Sequence, residues 1–374
     1  MQSGQKPLLI YGAYGYTGRL VVERAYNLGL NVILAGRDTD RLAKMSEQVK
    51  MPFRAFPLTD PDAMEKELQG VSCVVHLAGP FAITSAPMLT ACLEAGTDYV
   101  DVTGEIEVFE SIWARKEEIQ RAGISVVPGA GFDVVPTDCM ARYVSEQLPH
   151  ADSLVIALKG LNNVSQGTLR TAIRQISKPV LVREGGHIST LQDTSVRQID
   201  FGQGMEPCLP VPWGDISTAF YSTGIGNIAV YFRQTGAARM FLRIGKLFKS
   251  LLTSHAGQKL LQSVIHKLPP GPTEQQRKGQ VCTIVATASD LSGGKFSARC
   301  TTEDAYDFAA YTALDIAIRL QNSETPLGLC TPSEAFGADY ILSVPGTSRS
   351  PRIADCAAST RHRSCSPART RDGP

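Results

Sequence analysis

The sequence predicts an α/β fold, in which a doubly wound parallel sheet precedes a second α+β domain built on a mixed sheet. Strand-like and helix-like patterns alternate through residues 1–150, as expected of parallel βαβ units. A glycine-rich turn at Gly12–Gly18 separates the first strand pattern from the first helix pattern. Beyond residue 150 the spans lengthen and the strand patterns alternate. The 374 residues, of which 43% are hydrophobic, suffice for two such domains.

The first domain, residues 1–150, is predicted to contain six strands with helices between them. Short apolar runs indicate strands at Leu8–Tyr11, Asn31–Ala35, Phe53–Phe56, Cys73–Leu77, Tyr99–Val102 and Ile124–Val127. Amphipathic spacing indicates helices that start near Arg19 and that span Asp62–Leu68, Pro87–Ala95, Val108–Arg121 and Thr137–Leu148. This alternation is typical of a Rossmann fold.

The second domain, residues 151–320, is assigned to substrate binding and dimerisation, and a homodimer stays open. Its predicted elements are strands at Ser153–Leu158, Ile228–Phe232, Val281–Ala288 and Lys295–Cys300 and helices at Gly167–Val182 and Ala305–Leu320. Thr302 is a candidate cap for the last helix. We expect residues 321–345 to return to the first domain, by analogy with other Rossmann-type enzymes. Residues 346–374, rich in Arg, Ser, Thr and Pro, are expected to be disordered.

Composition argues against several classes of function. The net charge of +1 gives no field that favours nucleic acid, and no apolar run is long enough to span a bilayer. The nine cysteines are scattered and form no Cys-x-x-Cys pair, so we expect no disulfide framework, no metal site and a cytoplasmic location. Residues 239–251 form a basic amphipathic pattern, which leaves open a weak membrane contact beside the commoner explanation, a helix packed on its own domain.

The glycine-rich turn has the features of a dinucleotide-binding loop. Gly12 permits a tight turn, Gly15 leaves room for a pyrophosphate, and Gly18 lets the helix lie close to its strand. The Gly-x-x-Gly-x-x-Gly spacing departs from the commoner Gly-x-Gly-x-x-Gly, so the pattern alone does not separate a nucleotide site from a plain turn. The loop residues expected to contact the cofactor are Gly12, Tyr14, Gly15, Tyr16, Thr17 and Gly18.

The end of the second predicted strand points to NADP(H) as the cofactor. Gly36 and Arg37 stand where an NAD site usually places an acidic residue for the ribose, and an arginine suits a 2′-phosphate instead. Asp38 leaves two alternatives open, because it is placed either to reach the ribose or to cap the next helix.

Three later stretches carry a resemblance to a known family. They are His76–Phe81, Ala91–Glu105 and Gly131–Asp138. Together with the glycine loop they resemble the saccharopine-dehydrogenase-like NADP-binding oxidoreductases, and within these the branch that includes trans-acting enoyl reductases. The resemblance covers roughly residues 7–345. It implies reduction of an enoyl or imine/carbonyl-type group on a small-molecule or carrier-bound substrate, with a polyketide synthase or carrier protein as a partner.

Each of these stretches begins where a strand ends, which is where open α/β sheets bind ligands. The additional cofactor contacts expected there are Ala78, Gly79, Pro80, Thr103 and Gly104. No spacing identifies a catalytic group. The candidates for a proton donor are Glu105, Asp133, Lys159 and Tyr99.

Several of these residues also have a purely structural interpretation. Asp133 and Asp138 flank a helix start, where a carboxylate more often caps N–H groups or packs against a domain than takes part in catalysis. His76 and Cys139 are more often buried packing residues. No tyrosine has a lysine four residues on, which excludes the mechanism of short-chain dehydrogenases. The alternative function is a catalytically silent NADP-binding sensor or scaffold.

Overall fold

The computed structural model describes residues 5–161, 164–175, 179–234 and 267–352. The predicted basic helix at 239–251 and the tail from residue 353 onward lie outside the described residues.

Seven parallel strands form the first sheet, sheet A. They are β1 (Leu8–Tyr11), β2 (Val32–Gly36), β3 (Phe53–Ala55), β4 (Cys73–His76), β5 (Asp98–Asp101), β6 (Ser125–Val127) and β15 (Gly328–Leu329). Their order is β15-β6-β5-β4-β1-β2-β3, and every pairing is parallel. The strand order reverses between β1 and β4, the position where doubly wound sheets bind their ligands. The predicted doubly wound parallel sheet is confirmed.

Seven helices connect the first six strands and lead into the second sheet. They are α1 (Tyr16–Asn27), α2 (Thr39–Val49), α3 (Pro61–Leu68), α4 (Phe81–Ala95), α5 (Ile106–Trp113), α6 (Lys116–Ala122) and α7 (Val135–Gln147). The single helix predicted at Val108–Arg121 is wrong, because α5 and α6 are separate. Ile112 lies before the break and Ile119 after it, and both are buried. Because they are seven residues apart, the apolar residues keep the spacing of a single helix, and the sequence pattern does not reveal the break.

Nine strands form the mixed second sheet, sheet B. They are β7 (Ser153–Lys159), β8 (Leu181–Glu184), β9 (His187–Thr190), β10 (Arg197–Asp200), β11 (Met205–Pro210), β12 (Asn227–Arg233), β13 (Cys282–Ser289), β14 (Lys295–Thr302) and β16 (Ser348–Arg352). The main path is β10-β11-β12-β7-β13-β14-β16, and β8 pairs with β12 and β9. β7 and β12 are parallel, whereas the other pairs are antiparallel. The predicted mixed sheet is confirmed.

The second half of the described chain adds five helices and a 3-10 turn at Tyr340–Ser343. The helices are α8 (Gln166–Gln175), α9 (Asp215–Thr223), α10 (Glu274–Arg277), α11 (Ala305–Gln321) and α12 (Pro332–Phe336).

Two sequence predictions about helices fail in this half. The helix predicted at Gly167–Val182 is wrong at its end, because Leu181–Glu184 forms β8 and Val182 is buried there. Thr302 belongs to β14, and the cap of α11 is Asp304, whose carboxylate accepts hydrogen bonds from the N–H groups of Tyr306 and Asp307.

The tail prediction is also wrong at its start. We expected disorder from residue 346, yet Ser348–Arg352 pairs with β14 along its length. Arg349 places its guanidinium 3.7 Å from the centre of the Tyr143 ring and donates to the carbonyl of Ala338 at 2.9 Å. A ladder of backbone hydrogen bonds needs few apolar side chains, so composition did not reveal this strand.

The two sheets share one apolar core. A single buried cluster contains Ile10 of β1, Met140 of α7, Ile284 of β13 and Leu314 of α11. The second half of the chain therefore lies against the first sheet, and the crevice at the carboxyl ends of the sheet A strands is bordered by both.

Candidate cofactor and substrate site

Five loops meet at the carboxyl edge of sheet A, after β1, β2, β4, β5 and β6. Parallel strands bring all these loops to the same edge, and the sheet reverses its strand order there. The residues that the sequence predicted for cofactor binding lie on the first four loops, in the first turn of α1 or, for Gly36, at the last position of β2.

The glycines of the first loop are required by close packing. Gly12 has a φ of +88°, and a Cβ added there would lie 3.0 Å from the backbone nitrogen of Ala78. A Cβ on Gly18 would lie 2.2 Å from the carbonyl oxygen of Gly12. These positions therefore exclude side chains and hold α1 tightly against β1 and the loop after β4.

The start of α1 is suited to a phosphate. The helix begins at Tyr16 after Gly15, and no side chain caps its first N–H groups. A Cβ on Gly15 would lie 3.1 Å from the Gly12 carbonyl oxygen, so this position too is occupied most easily by glycine. Uncapped N–H groups at a helix start bind anions, because they combine free donors with the positive end of the helix dipole.

The loop after β2 carries an unpaired cation. Arg37 is exposed and forms no hydrogen bond or ion pair with any residue that the structure describes. The ring of Tyr14 lies over Gly36, since a Cβ there would approach it to 2.7 Å. Asp38 accepts a hydrogen bond from the N–H of Arg41 at 3.1 Å on Oδ1 and thereby caps α2, which is one of its two expected roles. Arg37 is therefore an exposed cation beside this turn, with no described ion-pair partner.

The loop after β4 is held by Thr84. Its hydroxyl lies 2.7 Å from the carbonyl oxygen of Ala78 and 3.0 Å from Nε2 of His76. His76 is fully buried, and burial lowers the pKa of its imidazole to about 3. The neutral ring therefore packs in the core and supports the loop rather than titrating in the crevice.

Glu105 joins the loops after β4 and β5. Its carboxylate oxygens accept hydrogen bonds from the N–H groups of Phe81 at 3.0 Å and Ala82 at 3.2 Å, at the start of α4. Its own N–H donates to the hydroxyl of Thr103 at 3.1 Å. The structure thus places this candidate proton donor as a cap for a neighbouring helix.

Tyr99 and Asp101 form a buried support under the same loops. Asp101 accepts hydrogen bonds from the Tyr99 hydroxyl at 2.7 Å and from the N–H groups of Thr103 at 3.0 Å and Gly129 at 2.9 Å. Burial raises the pKa of Asp101 to about 6 and that of Tyr99 well above its ordinary value. Tyr99 therefore lies inside the sheet, and Asp101, to which the sequence analysis gave no role, ties the loops after β5 and β6 together.

Asp133 is the candidate acid that faces the crevice. It is partly exposed, and a Cβ on Gly104 would lie 2.8 Å from its Oδ2. Its carboxylate accepts no hydrogen bond from a described residue, although its backbone carbonyl accepts one from Trp213 Nε1 at 2.8 Å. Burial without such donors raises the pKa of Asp133 to about 7.

Lys159 lies away from this crevice. Leu154, Ile156 and Leu158 of β7 face the shared core, and strand alternation turns Lys159 to the opposite face of sheet B. There its ammonium lies 2.6 Å from a carboxylate oxygen of Glu206.

The second half of the chain supplies residues that the sequence analysis missed. The Tyr16 hydroxyl donates to the carbonyl of Pro272 at 2.6 Å and accepts from Arg277 at 3.0 Å. The Tyr16 ring meets that of Tyr306 edge to face, with 5.0 Å between centroids. The Tyr306 hydroxyl in turn accepts from the N–H of Ser165 at 2.6 Å. No local sequence signal identifies Tyr306, because its partners are remote in the chain.

The described residues contain neither a metal-binding cluster nor a helix that could span a membrane. Within them, no three or more His, Cys, Asp or Glu side chains are grouped to hold a metal ion. The seven described cysteines are free and buried, and burial raises the pKa of Cys139 well above its ordinary value. Among the same residues, no helix combines the length and the apolar character needed to cross a bilayer.

Comparisons with known proteins identify the family of the chain. Residues 8–127 match the family model described as the saccharopine dehydrogenase NADP binding domain. The chain is 30% identical to a trans-acting enoyl reductase of Mycobacterium bovis, over 91% of this chain and 95% of that relative. It is 24% identical to a saccharopine dehydrogenase-like oxidoreductase of Bos taurus, over 45% of this chain and 43% of the relative.

The extent of these matches differs. With several of the saccharopine dehydrogenase-like relatives, the aligned part spans about half of the relative's length or less. The solved structure of apo saccharopine dehydrogenase (L-Glu forming) from Saccharomyces cerevisiae shares the fold, with a TM-score of 0.61 and 12% identity over 87% of this chain and 94% of that one. The chain therefore belongs to the saccharopine dehydrogenase-like family of NADP-binding oxidoreductases.

Proposed function

We propose that this protein is an NADP(H)-dependent reductase that acts on an enoyl or imine/carbonyl-type group. The observation that carries the proposal is Asp133, a carboxyl group in the crevice beside Gly104 whose pKa burial raises to about 7. A group that titrates near neutrality is suited to donate a proton in a cleft of this kind.

The successive loops at the carboxyl edge of sheet A would bind successive parts of the cofactor. The uncapped start of α1 would bind the pyrophosphate, and the exposed guanidinium of Arg37 would bind the 2′-phosphate. The turn Ala78–Pro80 and the pair Thr103–Gly104 lie on the loops after β4 and β5, where the nicotinamide half of a bound dinucleotide is expected.

The protein's own contribution to the reaction is a proton and a fixed geometry. A bound NADPH supplies the hydride. Asp133 would then give its proton to the substrate, while Glu105 and Asp101 keep the loops after β4, β5 and β6 in place through their hydrogen bonds to backbone N–H groups. Below a pH of about 7 Asp133 is mostly in its acid form and can donate, whereas above it the donor is lost.

The relatives support an enoyl thioester as the first substrate to test. The Mycobacterium bovis relative is named a trans-acting enoyl reductase and aligns over 91% of this chain. On this basis we propose a carrier-bound enoyl substrate, with a polyketide synthase or its carrier protein as the partner.

The test is oxidation of NADPH by the purified protein in the presence of an enoyl pantetheine thioester, a carrier-bound enoyl thioester or a semialdehyde. We expect stoichiometric loss of NADPH and formation of the reduced product with at least one of them, and a large loss of rate in Asp133→Asn. Tight NADPH binding without oxidation of any substrate would instead support the silent sensor or scaffold.

A further inference from the structure

A cluster of three hydroxyl groups lies at the start of α8 and α11, beside the proposed site. The Tyr306 hydroxyl lies 3.0 Å from the hydroxyl oxygen of Thr168, which lies 3.1 Å from that of Ser165. The Ser165 oxygen also accepts the N–H of Thr168 at 3.2 Å, and the Tyr306 oxygen accepts the N–H of Ser165. The phenol is therefore held firmly by two neighbours.

One hydroxyl proton of this cluster has no acceptor within the cluster. Ser165, Thr168 and Tyr306 carry one hydroxyl proton each, and the two hydroxyl-to-hydroxyl contacts use two of them. The third proton has no acceptor among the residues that the structure describes. Ser165 is buried, whereas Thr168 is exposed and Tyr306 partly exposed, so the free proton is accommodated on Thr168 or on Tyr306. In the arrangement Ser165 to Thr168 to Tyr306, the phenolic proton is the one left to donate to a further group.

Tyr306 contacts the cofactor loop and lies near Asp133. Its ring meets that of Tyr16, the first residue of α1. One half-turn further along the same helix, Phe308 packs edge to face on Phe132, with 5.6 Å between centroids, and Phe132 precedes Asp133 in the chain. Burial raises the pKa of Tyr306, and the nearby Asp133 raises it further, so the phenol keeps its proton at neutral pH.

We propose that the Tyr306 hydroxyl donates a hydrogen bond to the carbonyl oxygen of the substrate, which makes it a substrate-binding residue that acts together with Asp133. This inference rests on the proposed reductase function and specifies its substrate as one with a carbonyl oxygen conjugated to the reduced bond, such as an enoyl thioester.

The role follows from the charge that the reaction develops. When a hydride adds to the β-carbon of an enoyl thioester, the electron pair of the double bond moves to give an enolate oxygen. A donor held in advance at that oxygen stabilises the charge. The proton of Asp133 then forms the new C–H bond at the α-carbon, the carbonyl is restored, and Asp133 is left as a carboxylate. Tyr306 keeps its proton throughout.

The first experiment compares Tyr306→Phe with Tyr311→Phe. Both lose a phenolic hydroxyl on α11, but Tyr311 donates to the carbonyl of Ser343, away from the crevice, and serves as the matched control. For Tyr306→Phe we expect kcat/KM for an enoyl pantetheine thioester to fall about 10- to 100-fold, with the NADPH Kd within about twofold of the parent protein. Tyr311→Phe should keep the parental kcat/KM.

A substrate-side comparison keeps the inference testable if Tyr306→Phe does not fold. The saturated thioester product and its thioether analogue differ in the carbonyl oxygen, and the parent protein with NADP⁺ should bind the thioester about tenfold more tightly. In a folded Tyr306→Phe protein this preference should disappear. Equal binding of the two compounds by the parent protein, or a preference that survives in Tyr306→Phe, would overturn the inference. Failure of the parent protein to oxidise NADPH with any substrate would instead count against the proposed function.

Discussion

The carboxylate of Glu105 accepts the N–H of Phe81 at 3.0 Å, so that a residue after β5 closes the first turn of the helix after β4. The same carboxylate accepts the N–H of Ala82, and its backbone is bonded to Thr103. Because the two loops belong to neighbouring parallel strands, this carboxylate fixes the relative position of the residues proposed to contact the nicotinamide half of the cofactor.

Replacement of Glu105 should therefore affect stability and cofactor binding, and leave the pH dependence of the reaction unchanged. Glu105→Ala removes the cap of α4, which costs about 1 kcal/mol and lowers Tm by a few degrees. We expect a weaker NADPH affinity, measured by fluorescence titration, and an unchanged midpoint in the pH profile of kcat. A shift of that midpoint would show that Glu105, rather than Asp133, donates the proton.

The sequence predicted the parts of the site that depend on local chemistry. The glycine loop lies between β1 and α1, and the cation at Arg37 lies between β2 and α2, beside the Asp38 cap that was one of two expected roles. Within each of these βα connections, turn and capping preferences act between near neighbours. The parallel sheet followed from the alternation of strand and helix patterns. These features need no knowledge of which strands are adjacent.

The remaining features depend on contacts between distant parts of the chain. Glu105 becomes a helix cap because β4 and β5 are neighbours, and Lys159 turns away from the crevice because alternate residues of β7 face the shared core. Tyr306 meets Tyr16 and Ser165 through tertiary packing alone. Spacing along the chain carries no signal for such pairs.

Arg37 is expected to select NADPH over NADH. It is exposed and has no partner among the described residues, so Arg37→Ala removes a charge without breaking an internal ion pair. NADPH should bind about 10- to 100-fold more weakly and NADH nearly unchanged, as measured by isothermal titration calorimetry. Lys44→Ala, which removes another exposed cation from α2, is the control. An equal loss for both cofactors would contradict a contact between Arg37 and the 2′-phosphate.

Alanine variants of Gly15 and Gly18 should distinguish a loss of stability from a loss of NADPH binding. A Cβ on Gly18 would lie 2.2 Å from the Gly12 carbonyl oxygen, so Gly18→Ala must displace α1 and should lower Tm and abolish NADPH binding together. On Gly15 the same distance is 3.1 Å, so Gly15→Ala should fold with a small change in Tm and still bind NADPH at least about tenfold more weakly, because the methyl group lies at the uncapped helix start. Thermal melts and titrations on both variants check this; unimpaired NADPH binding by Gly15→Ala would place the pyrophosphate elsewhere.

If Asp133 donates the proton, its pKa sets the pH dependence of kcat. Burial raises its pKa to about 7, so the acid form dominates below that pH and is lost above it. We expect kcat to be level at low pH and to fall about tenfold per pH unit above the midpoint, and the Asp133→Asn rate to be low and nearly independent of pH in the same range. Steady-state rates with saturating NADPH and an enoyl thioester give the profile. A midpoint that persists in Asp133→Asn would assign it to another group.

The burial of Asp215 leads us to expect a pH-dependent effect on the stability of the fold. It is fully buried at the start of α9, and neither carboxylate oxygen has a hydrogen-bond partner among the described residues. Burial raises its pKa well above the ordinary value, with the nearby Asp138 and Asp133 adding to the rise. The folded state therefore favours the protonated acid. The free energy of unfolding gains the full contribution of Asp215 below the pKa that Asp215 has in the unfolded chain. Above that pH the contribution decreases by about 1.4 kcal/mol per pH unit, until the pH passes the pKa of Asp215 in the folded protein. Asp215→Asn, which mimics the neutral acid, should match the parent Tm at about pH 4 and exceed it increasingly toward about pH 8 in thermal melts. A parent-like Tm at both pH values would show that Asp215 is ionised in the folded protein.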